Sequence, residues 1–313
     1  MIQLTIETAE VTAFECDALV LKYAQMFHGA DATVAAVLAQ ARSGRIKIDP
    51  GPRDHVLVPS DGAIGANKVL FVGVVPLIRF EYSEIRTFAK RALMILSGEV
   101  PKARHIAMTI HGVNNGLDER EAFLAQLGGI LDAEKKGVAV ERVSIVERQA
   151  NRAARLKAIL QEIWPESRTP PTTRRPNQSQ RITAGSDSRS KPHVFVAMPF
   201  SKDLEDVYVF GIQGPVNTAG YLCERVDMAT FTGDILDRIK SRIETARLVI
   251  ADLSGANANV YLEVGYAWGK NRPTLLQAKK GDELKFDDRG QRCIVYENIV
   301  DLYKKLQADL AQL

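Results

Sequence analysis

The sequence predicts an α/β protein built from two three-layer α/β domains. Three observations support this prediction: the chain length, the alternation of short apolar runs with helical periods, and one polar segment between two apolar halves. The chain has 313 residues, and because domains commonly contain about 100 to 200 residues, two domains are expected. Hydrophobic residues make up 46% and charged residues 25% of the chain, which argues against a disordered or fibrous protein.

The polar segment is residues 166–192. It contains one large aliphatic residue, Ile182, among many Pro, Ser, Thr and Arg residues, so it buries too little apolar surface to offset the entropy lost on ordering. Its six basic and two acidic side chains give it a local net charge of +4. We therefore predict an N-terminal domain at 1–165, a flexible basic linker at 166–192 and a C-terminal domain at 193–313.

In the N-terminal half, Val- and Ile-rich runs of strand length alternate with helical periods. The helical periods lie at Ser83–Ile95, Asp118–Ala133 and Ala150–Ile163. This alternation favours a mostly parallel sheet with helices on both faces. The predicted strands are Leu4–Ile6, Ala18–Leu21, His55–Val58, Val69–Val74, His105–Met108 and Val143–Val146.

The C-terminal half shows the same alternation in a shorter form. Two uninterrupted apolar runs, His193–Met198 and Leu248–Leu253, are typical of strands buried between two helical layers. We predict a small doubly wound, flavodoxin-like parallel sheet of about five strands. Its other predicted elements are helices around Ile235–Ile243, at Asn259–Gly269 with Asn259 as the cap and at Asn298–Leu310, and strands at Thr274–Gln277 and Arg292–Tyr296.

Polar clusters fall where ligands of doubly wound sheets bind, at the carboxyl ends of the strands. One follows the first C-terminal strand, one lies at the end of the strand Leu248–Leu253, and one lies in the helix after it. The candidate binding or catalytic residues are Met198, Pro199, Phe200, Asp252, Ser254, Gly255, Asn259 and Glu263.

Glu263 stands out because its neighbours in the predicted helix are almost all apolar or aromatic. An unpaired buried carboxylate is costly or has a raised pKa, and such groups are often functional. The structural alternative is an ion pair with Arg225 or Arg247, or a contact with a helix N-terminus. For Asp252, the alternative is a cap on the following turn. Two carboxylates at one crevice can break an N-glycosidic bond without a metal.

The C-terminal half resembles two related families over residues 193–310. The similar stretches are VFVAMPF, GYLCERVD and GDILDRIKSRIETARLVIADLSGANANVYLEVGYAWG, and the families are the nucleoside 2-deoxyribosyltransferases and proteins with TIR-like folds. The resemblance implies that Glu263 in EVGYA reacts at the anomeric carbon and that Asp252 holds a sugar hydroxyl. TIR-like enzymes use a Glu to break the nicotinamide bond of NAD. The resemblance also implies that the chain forms homo-oligomers.

In the TIR-like group, residues that match Arg225 and Asp227 recur at a strand end. The resemblance implies that both contact the phosphate or ribose of a ligand. The alternative is a surface ion pair at a strand edge.

The N-terminal half resembles the macrodomain-like N-terminal domain of leucine aminopeptidases in CDALVLKY, NKVLFVGVV, FEYSEIRTFAKRAL and HGVNNGLDEREAF. The last stretch is a candidate ligand loop, because glycines permit close backbone approach and a helix starting near Asp118 would present its N-terminus to a phosphate. A plain turn is the alternative. Peptidase activity is not implied, since the metal-binding peptidase domain has no counterpart here. The loop residues are Gly112, Asn114, Asn115 and Gly116.

Several ligand and partner classes are not expected. The histidines and the three cysteines lack metal-ligand or disulfide spacing, so we predict no metal, no required cofactor and a cytoplasmic location. No apolar run approaches the roughly 18 residues that span a bilayer. Nucleic acid is not an expected partner, because the basic excess lies in one segment without interleaved aromatic residues.

These observations lead to one main hypothesis and two alternatives. We expect the C-terminal domain to cleave the N-glycosidic bond of a nucleotide, with NAD as the first candidate. A small nucleotide ligand of the N-terminal domain would control it, in a prokaryotic stress or phage-defence setting suggested by architecture alone. The first alternative is a nucleoside or nucleotide deoxyribosyl hydrolase or transferase, and the second is a non-catalytic nucleotide-binding signalling module.

Overall fold

The structure is a computed structural model that describes residues 2–113, 115–163, 182–226, 235–282 and 293–312. The chain divides into two compact units, and each contains one sheet with helices. This confirms the predicted class of two α/β domains. The N-terminal unit comprises residues 1–113 and 119–188, and the C-terminal unit comprises residues 114–118 and 189–313.

The strands of the N-terminal unit are β1 (Gln3–Thr8), β2 (Cys16–Tyr23), β3 (His55–Pro59), β4 (Ala66–Gly73), β5 (His105–Met108) and β6 (Arg142–Glu147). They form one sheet in the order β1-β6-β5-β2-β4-β3. Neighbouring strands pair in parallel, except that the edge strand β3 is antiparallel to β4. The sheet is therefore mostly parallel, as the sequence predicts.

The helices of this unit are α1 (Ala30–Ala41), α2 (Tyr82–Glu99), α3 (Glu119–Glu134) and α4 (Ala150–Ile163). Successive side chains of a strand point to opposite faces of the sheet, and Leu19 and Leu21 of β2 pack with Leu38 of α1. Helices α2 and α3 approach so closely at Gly129 that a Cβ at this position would lie 2.2 Å from the carbonyl oxygen of Arg86. Helix α1 was not predicted from the sequence, because its Ala-rich segment lacks a clear apolar stripe.

Residues 182–188 pack within the N-terminal unit, which differs from the flexible linker predicted at 166–192. Ile182 and Ala184 are buried, and their carbonyl oxygens accept hydrogen bonds from Nη1 of Arg86 at 2.8 and 2.9 Å. Ser188 donates to Glu121 at 2.7 Å. The single aliphatic residue of the segment thus anchors it, and residues 166–181 lie outside the described part of the chain.

The strands of the C-terminal unit are β7 (His193–Ala197), β8 (Leu222–Glu224), β9 (Leu248–Asp252), β10 (Thr274–Lys279) and β11 (Cys293–Tyr296). They form a parallel sheet in the order β11-β10-β9-β7-β8. This is the flavodoxin-like order of a doubly wound sheet.

The helices of this unit are α5 (Lys202–Asp206), α6 (Gly214–Thr218), α7 (Ile235–Thr245), α8 (Ala258–Gly269) and α9 (Ile299–Leu310), with a π-helix at Val207–Gln213 that joins α5 to α6. The π-helix and α9 cover one face of the sheet, and α7 and α8 cover the other. Asn257 caps α8, because its side chain accepts a hydrogen bond from Asn259 N at 2.9 Å. The prediction that Asn259 is the cap was wrong by two residues. Both asparagines precede the apolar run, so the sequence does not distinguish between them.

Candidate functional site

The carboxyl ends of β7, β8 and β9 lie side by side, because β7 pairs in parallel with both other strands. The chain changes direction across the sheet here, with β8 on one side of β7 and β9 to β11 on the other. Such a switch point leaves a crevice between the loops that follow the two strands, and ligands of doubly wound sheets bind there. In this chain the two loops follow β7 and β9.

Asp252 ends β9 and is fully buried. Its Oδ1 accepts a hydrogen bond from Ser254 N at 2.9 Å, and its Oδ2 accepts from Gln277 Nε2 at 2.8 Å and from the Tyr296 hydroxyl at 3.0 Å. Burial and the Asp252 charge raise the pKa of Tyr296, so the phenol stays a donor. Asp252 thus caps the turn after β9, and three of the roughly four lone-pair positions of its carboxylate already accept protein donors.

The loop between β9 and α8 is also held by protein groups. Ser254 Oγ accepts a hydrogen bond from Lys279 N at 3.0 Å and lies 3.3 Å from the Tyr296 hydroxyl. Gly255 has a φ of 71°, a left-handed conformation that favours glycine, and its N donates to Asp282 at 3.1 Å. Asn259 is exposed on the first turn of α8. Of these three residues predicted to bind a substrate, Gly255 and Asn259 are exposed and Ser254 is buried.

Glu263 lies in the second turn of α8, beside the buried face formed by Val260, Val264 and Ala267. The side chain is partly buried, and within the described ranges no donor or cation pairs with its carboxylate. Burial, acting alone, raises the pKa of Glu263 to about 7. Among the described residues, Arg225 pairs with Glu205 and Arg247 is exposed, and neither arginine forms an ion pair with Glu263.

Arg225 follows β8 and lies between two aromatic rings. Its guanidinium carbon is 3.8 Å from the ring centroid of Tyr208 and 4.4 Å from that of Phe200, distances typical of cation–π contacts. Its Nη2 donates to Glu205 Oε2 at 2.7 Å, and its Nη1 donates to Met198 Sδ at 3.5 Å. The structure thus brings together three predicted residues, Met198, Phe200 and Arg225.

Two residues of this group were not predicted from the sequence. Glu205 and Tyr208 lie three positions apart, on the helical segment that runs from α5 into the π-helix. The Tyr208 hydroxyl donates to Cys223 O at 3.3 Å, and burial raises the pKa of Tyr208 well above its ordinary value. The segment has no regular apolar period, so no sequence signal placed these side chains. Pro199 lies between Met198 and Phe200 and is partly buried, and Asp227 lies outside the described residues.

The predicted N-terminal ligand loop is packed against protein. Gly112 and Gly116 have φ angles of 89° and 95°, so both positions require glycine-like conformations. Within the C-terminal unit, Asn115 forms a β-bridge with Val226, and a Cβ at Gly116 would lie 2.7 Å from a Val226 methyl.

Asp118, which follows this loop, also forms hydrogen bonds with protein groups. Asp118 is buried and accepts hydrogen bonds from Cys223 N and Asn217 Nδ2 at 3.0 and 2.9 Å, so it does not belong to an open helix N-terminus. The helix α3 begins one residue later, at Glu119. Asn114 lies outside the described residues.

A buried polar group lies at the carboxyl ends of β2 and β5 in the N-terminal unit. Lys22 is 5% exposed, and its Nζ lies 3.5 Å from Asp31 Oδ1. Asp31 also accepts from His28 N at 2.9 Å. His111 packs edge-on against Phe88 with the ring centroids 4.7 Å apart, and burial together with the Lys22 charge lowers the pKa of His111 well below its ordinary value. The lysine inside the apolar run CDALVLKY is the sequence signal for this group, which was not predicted.

Two further features of the described residues concern metal ions and membranes. Across these ranges, no three or more His, Cys, Asp and Glu side chains are grouped so that they could hold a metal ion. In the same ranges, no helix combines the length and apolar character that crossing a bilayer requires.

Comparison with known proteins gives similarity to macrodomain structures. No protein-family model matches the chain, and no curated protein matches it. A Trypanosoma brucei macrodomain in complex with ADP is 16% identical with a TM-score of 0.42, and the match covers 50% of this chain and 69% of that chain. An Oceanobacillus iheyensis macrodomain with MES bound is 12% identical with a TM-score of 0.40, covering 50% and 90%. The same macrodomain with ADP is 12% identical with a TM-score of 0.39, with the same coverage.

Proposed function

We propose that the C-terminal unit cleaves the N-glycosidic bond of a nucleotide, with Glu263 as the residue that acts at the anomeric carbon. The observation that supports this most directly is the state of the Glu263 carboxyl. It is partly accessible, its pKa is raised to about 7, and no partner engages it within the described ranges. A strongly perturbed, unpaired carboxyl is a common mark of a functional site.

The charge on Glu263 suits a reaction that develops positive charge. When the bond between the anomeric carbon and the base breaks, the carbon becomes oxocarbenium-like. A carboxylate that has lost part of its hydration and lacks a cation is poorly stabilised before the reaction. It therefore gains more from the developing cation than a solvated carboxylate would. The same environment that raises the pKa would thus stabilise the transition state.

The state of Asp252 favours NAD among the possible substrates. Its oxygens already accept three protein hydrogen bonds, so it is poorly placed to deliver a proton to a leaving base. Neutral bases need such a proton. Nicotinamide does not, because the ring nitrogen is positively charged in NAD and keeps the electron pair of the broken bond as the neutral base departs. Water then supplies the hydroxyl at the anomeric carbon.

For the N-terminal unit we propose a nucleotide-derived ligand near Lys22 that controls the cleavage, in a prokaryotic stress or phage-defence setting. A buried lysine is a suitable partner for a phosphate group, and within the described ranges Nε2 of His111 has no hydrogen-bond partner. Calorimetry with ADP tests this proposal. Lys22→Met should weaken ADP binding at least tenfold, which corresponds to the loss of about one charge-assisted hydrogen bond. Equal binding by the wild type and the variant would reject it.

The cleavage is tested by chromatographic detection of the released base. The purified full chain and its Glu263→Gln variant are incubated with NAD, other nucleotides and deoxynucleosides, at low and high protein concentration. Glu297→Gln is the matched control, because it removes one carboxylate from an exposed position that pairs with Lys280. We expect nicotinamide from NAD in the wild type and the control, and none in Glu263→Gln.

The identity of the base separates the alternatives. Release of adenine or thymine from deoxynucleosides instead of nicotinamide would favour the deoxyribosyl alternative. Release that persists in Glu263→Gln would contradict the role of Glu263. Absence of release from every substrate, with retained nucleotide binding, would favour the binding module.

A further inference from the structure

The guanidinium of Arg225 is held in place but uses little of its hydrogen-bonding capacity. Its side chain is 10% exposed and lies between the rings of Phe200 and Tyr208. A guanidinium has five N–H donors. In the described part of the chain, Arg225 uses only two of its donors, one on a carboxylate oxygen and one on a thioether sulfur. Arginine normally binds a carboxylate or phosphate with two parallel hydrogen bonds, so this contact with Glu205 is incomplete.

Two aromatic contacts hold Arg225 in addition to its ion pair with Glu205. Tyr208 is fixed by its own hydrogen bond to Cys223 O and by its place in the π-helix, and Phe200 follows the buried strand β7. Both rings would therefore continue to hold the guanidinium plane if the carboxylate moved away. A cation oriented in advance binds an anion with a smaller loss of side-chain entropy.

Glu205 is the replaceable member of the group. Its side chain is 43% exposed, so rotation into water would leave the carboxylate well hydrated at small cost. Phe200 is also 38% exposed and offers a ring surface beside the charge. The Phe200 loop follows β7, one of the two strands that border the crevice at the switch point.

We propose that Arg225 is a binding site for the phosphate group of a ligand, and that Glu205 is a built-in competitor that occupies the guanidinium until such a ligand displaces it. The inference deepens the proposed function, because it restricts the substrate of the C-terminal unit to phosphorylated nucleotides. It also makes Glu205 a residue that sets affinity and specificity. A nucleoside without phosphate would leave the Glu205–Arg225 pair closed.

Inorganic pyrophosphate is the probe that tests this proposal without turnover. Its binding to the full chain is measured by calorimetry for the wild type, Glu205→Gln and the double variant Glu205→Gln/Arg225→Gln. Asp203→Asn is the matched control, because it removes the same charge from an exposed position of α5. We expect Glu205→Gln to bind roughly tenfold more tightly than the wild type, the gain of about one charge-assisted hydrogen bond.

The increase in affinity must depend on Arg225 and not on net charge. We expect it to be absent in Asp203→Asn and to disappear in the double variant, and any pyrophosphate bound elsewhere on the chain cancels in this comparison. Circular dichroism verifies that each variant is folded, and Arg225→Met replaces Arg225→Gln if the latter unfolds. Equal affinity of the wild type and Glu205→Gln, or a gain that survives loss of Arg225, would overturn the proposal.

This test can fail separately from that of the proposed function. Pyrophosphate binding involves no bond cleavage and does not require Glu263. Base release without an effect of Glu205 would reject the phosphate site alone. An effect of Glu205 without base release would reject the cleavage alone.

Discussion

At the residue scale, Glu263 and Asp252 are two carboxyl groups in different environments. The buried Asp252 accepts three protein hydrogen bonds and fixes the turn after β9. Glu263 is partly buried, no residue in the described part of the chain donates to its carboxylate, and burial raises its pKa to about 7. The apolar neighbours of Glu263 in sequence were enough to predict this state, whereas the donors to Asp252 come from distant strands that no local pattern reveals.

The raised pKa of Glu263 predicts a pH-dependent stability difference. The native carboxyl binds its proton more tightly than the unfolded one, so its ionisation costs stability as the pH rises from about 4.5 to about 7. Glu263→Gln removes this cost. Relative to the wild type it should be equally stable near pH 4 and about 2 to 3 kcal/mol more stable at pH 8.

Urea unfolding followed by Trp268 fluorescence measures this difference, in a Trp164→Phe background so that the signal comes from α8. The carboxamide of Glu263→Gln has nearly the shape of the carboxyl, which makes charge the main change. A stability difference that is the same at both pH values would show that the carboxyl is not desolvated in the folded chain.

The hydrogen bonds of Asp252 predict the opposite effect. Asp252→Ala leaves the Gln277 amide, the Ser254 N–H and the Tyr296 hydroxyl without their acceptor, and should lower the free energy of unfolding by about 3 kcal/mol. Tyr296→Phe removes a single donor and should cost about 1 kcal/mol. Denaturant unfolding at pH 7 measures both losses of stability. If Asp252→Ala destabilised the protein less than Tyr296→Phe does, the result would contradict this hydrogen-bond network.

At the scale of elements, the sequence predicted those with a strong apolar period and missed those without one. The prediction of β5 at His105–Met108 and of α4 at Ala150–Ile163 agrees with the structure to the residue. The segment from α5 through the π-helix to α6 was missed, because Gly211, Gly214 and Pro215 interrupt any helical pattern. Tertiary packing explains the glycines: a Cβ at Gly211 or Gly214 would lie 2.9 to 3.0 Å from Leu302 or Tyr303 of α9.

The packed segment 182–188 is a second element that composition concealed. Ile182→Ala should lower the stability of the N-terminal unit by about 2 kcal/mol, because it truncates the buried apolar side chain of this segment. Met94→Ala on α2 is the control, since Met94 is 45% exposed and should change stability by less than about 0.5 kcal/mol. Thermal unfolding compares the two, and equal effects would mean that the segment does not contribute to the unit.

At the scale of the whole molecule, the sequence correctly predicted two α/β units but not how the chain is divided between them. Residues 114–118 belong to the C-terminal unit, although the elements on either side, β5 and α3, belong to the N-terminal one. A contiguous split at a linker was the simplest reading of composition, and composition carries no information on an inserted loop of five residues. The predicted homo-oligomer and the predicted cytoplasmic location remain predictions.

The inserted loop predicts an effect on the C-terminal unit from a residue in the first half of the sequence. Asp118 accepts the Cys223 N–H at 3.0 Å, so Asp118→Ala should accelerate hydrogen exchange at that amide by about tenfold or more, the loss of one charge-assisted hydrogen bond. Amide exchange measured by NMR gives the rate, with the β9 amides as an internal reference. An unchanged rate at Cys223 would show that the loop does not belong to this unit.

The most direct test of the proposed chemistry is the pH dependence of nicotinamide release from NAD by the full chain. If ionised Glu263 acts at the anomeric carbon, the rate should rise between pH 5 and pH 9 with a midpoint of about 7, the value to which burial raises its pKa. Glu263→Gln should release no nicotinamide at any pH in this range. Release by Glu263→Gln, or a wild-type rate that does not change through pH 7, would contradict the role assigned to Glu263.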